Sequence, residues 1–319
     1  MMNDIANRQN EPRMLDLMKA RRATYDRATA VQVMQLIVVI ALPLALAILG
    51  LFYDASRPWV AIGSFLAVIV DGLVLDRRQR VLIERAAKIS EQFDCELLVM
   101  DWDAFTAGRH VDPETIASSA RFWKGDIKSI MDWYPAVPPA APLYLARLIC
   151  QRANLWYDSS LRKRLGGWLS FAVVFVLALL IIAGLAAQLD LANFAIVLLA
   201  PATPFVAWAI RERYRQMDAA EAIELIKDDA EDMTALAIGG TATEANCTDW
   251  SRRFQSAIYA RRVSNPLLLP LMYRFMRDEK ELEMTAGATE LLRQAGIPVE
   301  RPGDHSGFSH HAASSERGA

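Results

Sequence analysis

The chain has 319 residues, 53% hydrophobic and 23% charged, with a formal net charge of −2. That balance gives no mandate for DNA or RNA binding, which a strongly basic domain or face would announce. Its long uncharged stretches exclude the secreted, fibrous and wholly disordered classes.

No charge falls between Arg27 and Asp54, between Arg164 and Asp190, or between Asp190 and Arg211, and the only charge between Arg57 and Asp76 is Asp71. About 20 apolar residues cross the roughly 30 Å hydrocarbon layer. Lipid cannot satisfy free backbone groups, so residues 31–53, 59–75, 166–189 and 192–210 are predicted to be transmembrane helices. Basic residues mark the cytoplasmic side. Lys19, Arg21, Arg22 and Arg27 precede the first span, and Arg77, Arg78, Arg80, Arg85 and Lys88 follow the second. Arg162, Lys163 and Arg164 precede the third, and Arg211, Arg213 and Arg215 follow the fourth. Both termini and the middle region are therefore expected in the cytoplasm, with the first span retained as a signal anchor.

The predicted organisation is a cytosolic N-terminal helix (1–30), a first transmembrane hairpin (31–76), a cytosolic insert (77–164), a second hairpin (165–210), a cytosolic helical region (211–300) and a disordered tail (301–319). Apolar residues at helical spacing, Val81, Leu82, Ala86 and Ile89 after the second span and Tyr214, Met217, Ile223, Ile226, Met233 and Leu236 after the fourth, carry both spans on into the cytosol. Residues 95–102, CELLVMDW, are short and apolar; strand and helix both stay open there. Asp112 and Pro113 open a helix expected to reach Trp133. Residues 134–142 form a Pro-rich turn, 143–154 are helical again, and a loop over 239–246 precedes a helix starting near Thr248 or Asp249. The fold class is an α-helical integral membrane protein, four transmembrane helices in a 2+2 arrangement, with a mostly helical cytosolic domain and room for one short strand.

Nothing in this chain spells an enzyme. His305, His310 and His311 lie in the tail, and His110 stands without HExxH, paired Cys or GxSxG. Gly239 and Gly240 lack the GKS or GKT of a P-loop. Asp228, Asp229, Glu231 and Asp232 read as a solvated helical face. Cys95, Cys150 and Cys247 are far apart and read as reduced, buried thiols. No catalytic residue, metal site or cofactor is expected.

Ionisable groups at membrane depth are costly and therefore informative. Asp71 lies six residues before Arg77, roughly 9 Å along a helix axis, and is a candidate for lining or gating a pore, or for pairing near the interface. Gln32 and Gln35 are candidates for bonding between helices, and Pro201 and Pro204, with Pro43, for kinks that permit opening. No span carries a file of charges, which argues against a proton-coupled transporter, and four helices are too few to enclose a wide conduit. Pore activity would require a homo-oligomer.

The run CQRANLWYDSSLRKR, residues 150–164, resembles a signature of the SMODS-associated four-transmembrane effectors, a family regarded as pore-forming and tied to cyclic-oligonucleotide anti-phage defence. RQN at 8–10, KARRATYDRA before the first span, DWYP at 132–135, RFQSAIYARR and MYRFMRDEKELEM fall in the same order, so the likeness covers about 8–284. The resemblance implies an effector of the bacterial inner (plasma) membrane whose partners are the lipid bilayer, a cyclic di- or trinucleotide and further copies of itself, and which permeabilises the membrane when the messenger arrives. Gln151, Arg152, Asn154 and Trp156, with Trp133 and Tyr134, supply the cations, aromatic faces and amides such a ligand needs. Arg252, Arg253, Arg261 and Arg262 add more. The same letters fit an Arg paired to Asp158 and a Trp at the membrane interface. A membrane-anchored scaffold and a constitutive small channel or transporter are the rival readings.

Overall fold

The computed structural model describes residues 3–42, 62–63, 65–66 and 69–299. Pro43 and the tail from 301 on lie outside them, as do most residues of the expected first transmembrane hairpin. Among the described residues there is helix and turn, and no strand.

The chain opens with a single turn, α1 (Ile5–Arg8), and a long helix, α2 (Pro12–Leu36), which begins on a proline, where a missing N–H costs nothing. A π turn (Ile37–Ala41) continues α2 into the first apolar stretch. A second π turn (Asp71–Leu75) leads without a break into α3 (Asp76–Leu97). Residues 95–102, left open between strand and helix, are the end of α3 and the turn after it. Arg147 decides this: its Nε donates to the Leu98 carbonyl at 2.6 Å and its guanidinium also reaches the Val99 carbonyl, satisfying oxygens that a helix end leaves open. Val99 then reverses the chain with φ 54°.

Two short helices follow, α4 (Ala104–Ala107), capped by Asp103, and α5 (Pro113–Phe122). The helix expected to reach Trp133 stops at Phe122, because Trp123 turns extended and Gly125–Asp126 starts a separate 3-10 turn, Ile127–Ser129. The Pro-rich stretch that follows is held by the N-terminus. Gln9 brackets Tyr134, accepting from its N–H at 2.9 Å and donating to its carbonyl at 3.3 Å. Asn10 exchanges two hydrogen bonds with Asp132, 2.8 and 3.0 Å long. The motifs RQN and DWYP thus bind each other.

The 44-residue helix α6 (Leu143–Ala186) joins the expected helix at 143–154 to the third span in one piece. Its first half is buried in the helical body; its second half is bare, with Phe171 60% and Leu185 75% exposed. Among the described residues it is the one helix long and apolar enough by itself to cross a membrane. The other apolar run is divided over α7 (Leu191–Asn193), a π turn (Phe194–Leu199) and the start of α8 (Ala200–Ile238). Pro201 and Pro204 stand just after that π turn. Neither can donate to the carbonyl four residues back, which loosens the helix there.

α6 and α8 are antiparallel: Gly184 faces Phe194, Ser170 meets Arg213 at 2.6 Å, Gly166 faces Met217 and Arg152 pairs with Glu231. A Cβ on Gly184 would sit 2.5 Å from the Phe194 ring, so the tip of this hairpin closes because that residue has no side chain. Thr243 caps α9 (Glu244–Ser264), which starts four to five residues earlier than expected because the threonine hydroxyl accepts from the Asn246 N–H at 3.2 Å. The last helix is α10 (Pro270–Gln294).

The body packs α2 against α3 and α5, α9 against α3 and α6, and α10 against α6, around Leu17, Phe93, Leu148 and Ile149. Inside it lie two carboxylates, Glu91 and Asp94, each 1% exposed. Asp94 accepts from Tyr134 Oη (2.8 Å), Gln255 Nε2 (2.9 Å) and Arg262 Nη1 (2.5 Å). Glu91 accepts from Arg252 Nη2 and Gln255 Nε2, both at 2.7 Å. Burial and the Asp94 charge hold the Tyr134 hydroxyl well above its usual range, so it stays a donor. Burial opposes the charge of Arg262, but Asp94, through charge and hydrogen bond, together with Tyr134 and Tyr25 outweighs it and raises the guanidinium further. All three cysteines are buried and free, and burial pushes the Cys95 thiol up to about 12.

At the start of the expected first hairpin Gln35 Nε2 donates to Asp71 Oδ1 at 2.8 Å, tying α2 to the π turn before α3. Gln32 beside it presents a buried side-chain carbonyl with no hydrogen-bond partner among the described residues.

Asp94→Ala strands Arg262 in the core and should cost about 3–5 kcal/mol, whereas Asp94→Asn, which keeps an acceptor, should cost less; unfolding in detergent measures both, and equal losses would refute the role of the carboxylate. For Gln35 and Asp71, a double-mutant cycle with leucine at each position should return a coupling of about 0.6–1.7 kcal/mol, and additivity would show that the pair contributes nothing.

Candidate functional site

The helices α2, α6 and α9 converge on a cavity of about 320 Å³ beside the points where α2 and α6 enter their apolar stretches. Each contributes one face. From α2 come Arg21, Arg22, Tyr25 and Asp26, within two turns. From α6 come Asn154, Asp158, Leu161 and Arg162, which share a side because residues three and four apart stack on a helix. From α9 come Ile258, Arg261 and Arg262, and residues 265–268 of the connection after it close the floor. Trp133 enters from the Pro-rich stretch.

Five arginines and two aspartates line this space, so its potential is positive. Most of the cations are oriented. Arg21 lies 4.0 Å from the centroid of the Trp133 ring and 5.7 Å from that of Tyr25. Arg22 Nε approaches Asp26 Oδ1 at 3.7 Å, and burial pushes the Asp26 carboxyl up, partly offset by Arg22. Arg162 pairs with Asp158 at 3.0 Å and donates to Gln216 Oε1 at 2.8 Å and to the Pro266 carbonyl at 2.9 Å. Arg262 is held by Asp94 behind it. Arg261 forms no ion pair or side-chain hydrogen bond among the described residues. Asn265, only 7% exposed, brings a side-chain amide nitrogen that no acceptor among the described residues meets. The combination suits a flat, anionic ligand: guanidinium groups for phosphate oxygens, indole and phenol faces for stacking, amides for base edges.

Of the residues singled out in the sequence, Asn154 and Trp133 line the cavity, with Arg261 and Arg262. The others are placed elsewhere. Gln151 is fully buried and its amide is committed to the Ser251 carbonyl (2.8 Å), Gln255 Oε1 (3.1 Å) and the Ser251 hydroxyl, which donates at 2.8 Å. Arg152 faces away, gripping Glu231 through Nε (3.0 Å) and Nη2 (2.6 Å) in a groove between α6, α8 and α10, while the arginine that pairs with Asp158 is Arg162. Trp156 packs beside Met284 with Lys280 Nζ 5.5 Å from its ring centroid. Tyr134 lies in the core, its hydroxyl on Asp94. Arg252 and Arg253 pair with Glu91 and Asp249. With 3.6 residues per turn, positions 151, 152, 154 and 156 cannot share one face. Asp71, Gln32, Gln35, Pro201 and Pro204 are not part of this cavity.

Sequence reasoning missed Arg21, Arg22, Tyr25, Asp26, Arg162 and Asn265. The available signal was the pairing of Arg22 with Asp26 and of Asp158 with Arg162, each four apart, on two helices that enter apolar stretches. Those arginines were credited to topology alone.

Comparison with known proteins adds the family. A family model described as "SMODS-associating 4TM effector domain" matches residues 3–291. A protein of Bacillus cereus (strain VD146) named "Probable CBASS effector molecule" is 23% identical over 284 residues, 86% of this chain and 94% of that protein. No solved structure matches the chain. A bare apolar helix rooted in a helical body, in a chain matched from residue 3 to residue 291, makes this membrane protein a member of the SMODS-associating four-transmembrane effector family.

Proposed function

We propose that the chain is a CBASS effector of the bacterial inner membrane, with both termini and the helical body in the cytosol, which self-associates and permeabilises the bilayer when a cyclic nucleotide binds the body. Its likeness to the Bacillus cereus effector supports the defence setting. The basic residues flanking the apolar stretches support the orientation. No chemistry on the messenger is needed; the effector acts by changing shape.

The observation that carries the reading is α6. It is one helix of 44 residues, about 66 Å long, buried at one end among the body's helices and bare at the other. A helix without a joint cannot move at one end only, so a rearrangement in the body tilts or rotates the apolar half. That half leaves Trp168, Phe171 and Phe175 open to lipid or to another copy. Small bundles conduct only by assembling.

In vesicles loaded with a self-quenched dye, one cyclic nucleotide from a panel of di- and trinucleotides should release the dye within minutes while the others do not. Binding without release would favour a membrane-anchored scaffold, and release without any nucleotide a constitutive channel.

A further inference from the structure

We infer that the arginine-lined cavity between α2, α6 and α9 is where the messenger binds, and that it takes a cyclic dinucleotide in preference to a larger ring; this deepens the effector reading and rests on it. Four observations converge.

Asn265 is a buried amide donor with no acceptor among the described residues, and such a group destabilises the fold unless something bonds it. A base carbonyl or ring nitrogen supplies the missing acceptor. Arg261, one turn earlier on the same wall, is engaged by neither Asp26 nor Asp158, and it is placed for a phosphodiester. Arg162 and Arg262 are pre-oriented by Asp158 and Asp94, so little freedom is lost when an anion arrives. Trp133 and Tyr25, joined through Arg21, offer two aromatic faces, one for each base. The cavity of about 320 Å³ lies at the low end of the 300–1,000 Å³ typical of ligand sites, which favours the smaller ring over the larger.

The floor of the cavity reaches the membrane helices directly. Pro266 and Leu267 present carbonyls to Arg162 on α6 (2.9 Å) and Gln216 on α8 (3.0 Å). Gln216 is fully buried and also ties Arg162 to Glu212. On the other side the connection between α9 and α10, residues 265–269, acts as a strap and lays Leu268 and Leu269 against Leu165, Leu169 and Ala209, where α6 and α8 enter their apolar halves. A ligand that draws in Arg261 and Asn265 pulls the strap, and the strap pulls that junction.

The phosphate chemistry could equally recognise an anionic lipid headgroup, so the test separates the two. Full-length protein in nanodiscs of neutral phosphatidylcholine is titrated calorimetrically with cyclic dinucleotides and cyclic trinucleotides, and the series is repeated with phosphatidylglycerol present. A cyclic dinucleotide should bind one per chain in the neutral discs and more tightly than every trinucleotide. Arg261→Glu should weaken it about 100-fold and Asn265→Leu about 10-fold, by loss of one charged and one neutral hydrogen-bonding group. Exposed Arg293→Ala should bind as the parent does. Arg261→Gln replaces the charge reversal if that variant fails to fold. Tighter binding of a trinucleotide, unchanged affinity in both cavity variants, or a response to phosphatidylglycerol alone overturns the proposal. Vesicle leakage run in parallel keeps the two readings apart: nucleotide-triggered leakage that survives Arg261→Glu removes the site and leaves the effector, whereas cavity binding without leakage upholds the site and removes the permeabilising role.

Discussion

Two carboxylates in an apolar core set the terms for the rest of this molecule. Asp94 and Glu91 lie less than one turn apart on α3 and are closed off from water. Ions so buried are tolerable only when cations and donors meet them. Arg262, Arg252 and Gln255 do so from α9, Tyr134 does so from the Pro-rich stretch, and Gln151 reaches Gln255 from α6. One network thus brings together four segments distant in sequence and fixes their rotation about their own axes. Apolar packing alone would tolerate sliding, whereas a bonded carboxylate does not.

The same constraint builds the cavity. With its terminal Nη1 on Asp94, Arg262 is anchored at the back of the space, and Arg261 beside it is turned into the opening. Gln9 and Asn10 hold Tyr134 and Asp132, which leaves Trp133 between them stacked against Arg21. What looked like unconnected short motifs are two halves of one clasp, and the side chain between the clasped positions is the one that lines the cavity.

Toward the apolar half the design changes from ion pairs to small residues and shared carbonyls. Gly166 and Gly184 let α6 approach α8, while Arg162, Gln216 and Glu212 form the last buried polar layer before the bare helices. Burial lifts the Glu212 carboxyl, with Gln216, Arg215 and Arg162 pulling the other way. A polar layer at that depth resists slippage between α6 and α8, so motion of the strap is passed on rather than absorbed.

The helical class and the apolar stretches were determined by the amino-acid sequence alone, because absence of charge over a spanning length and apolar spacing along a helix are local properties. The orders of α3, α6, α8 and α9 could be read for the same reason. Tertiary structure decided what local pattern left open. Residues 95–102 end as a helix cap because Arg147, some fifty positions away, supplies donors to their carbonyls. The helix from Pro113 stops early because the chain must turn to meet Asn10. Gln151 and Arg152, adjacent in the most distinctive run, point to a core network and to Glu231, since neighbours on a helix diverge by about 100°. The cavity draws on residues near 21, 133, 158 and 262, and only packing brings them together.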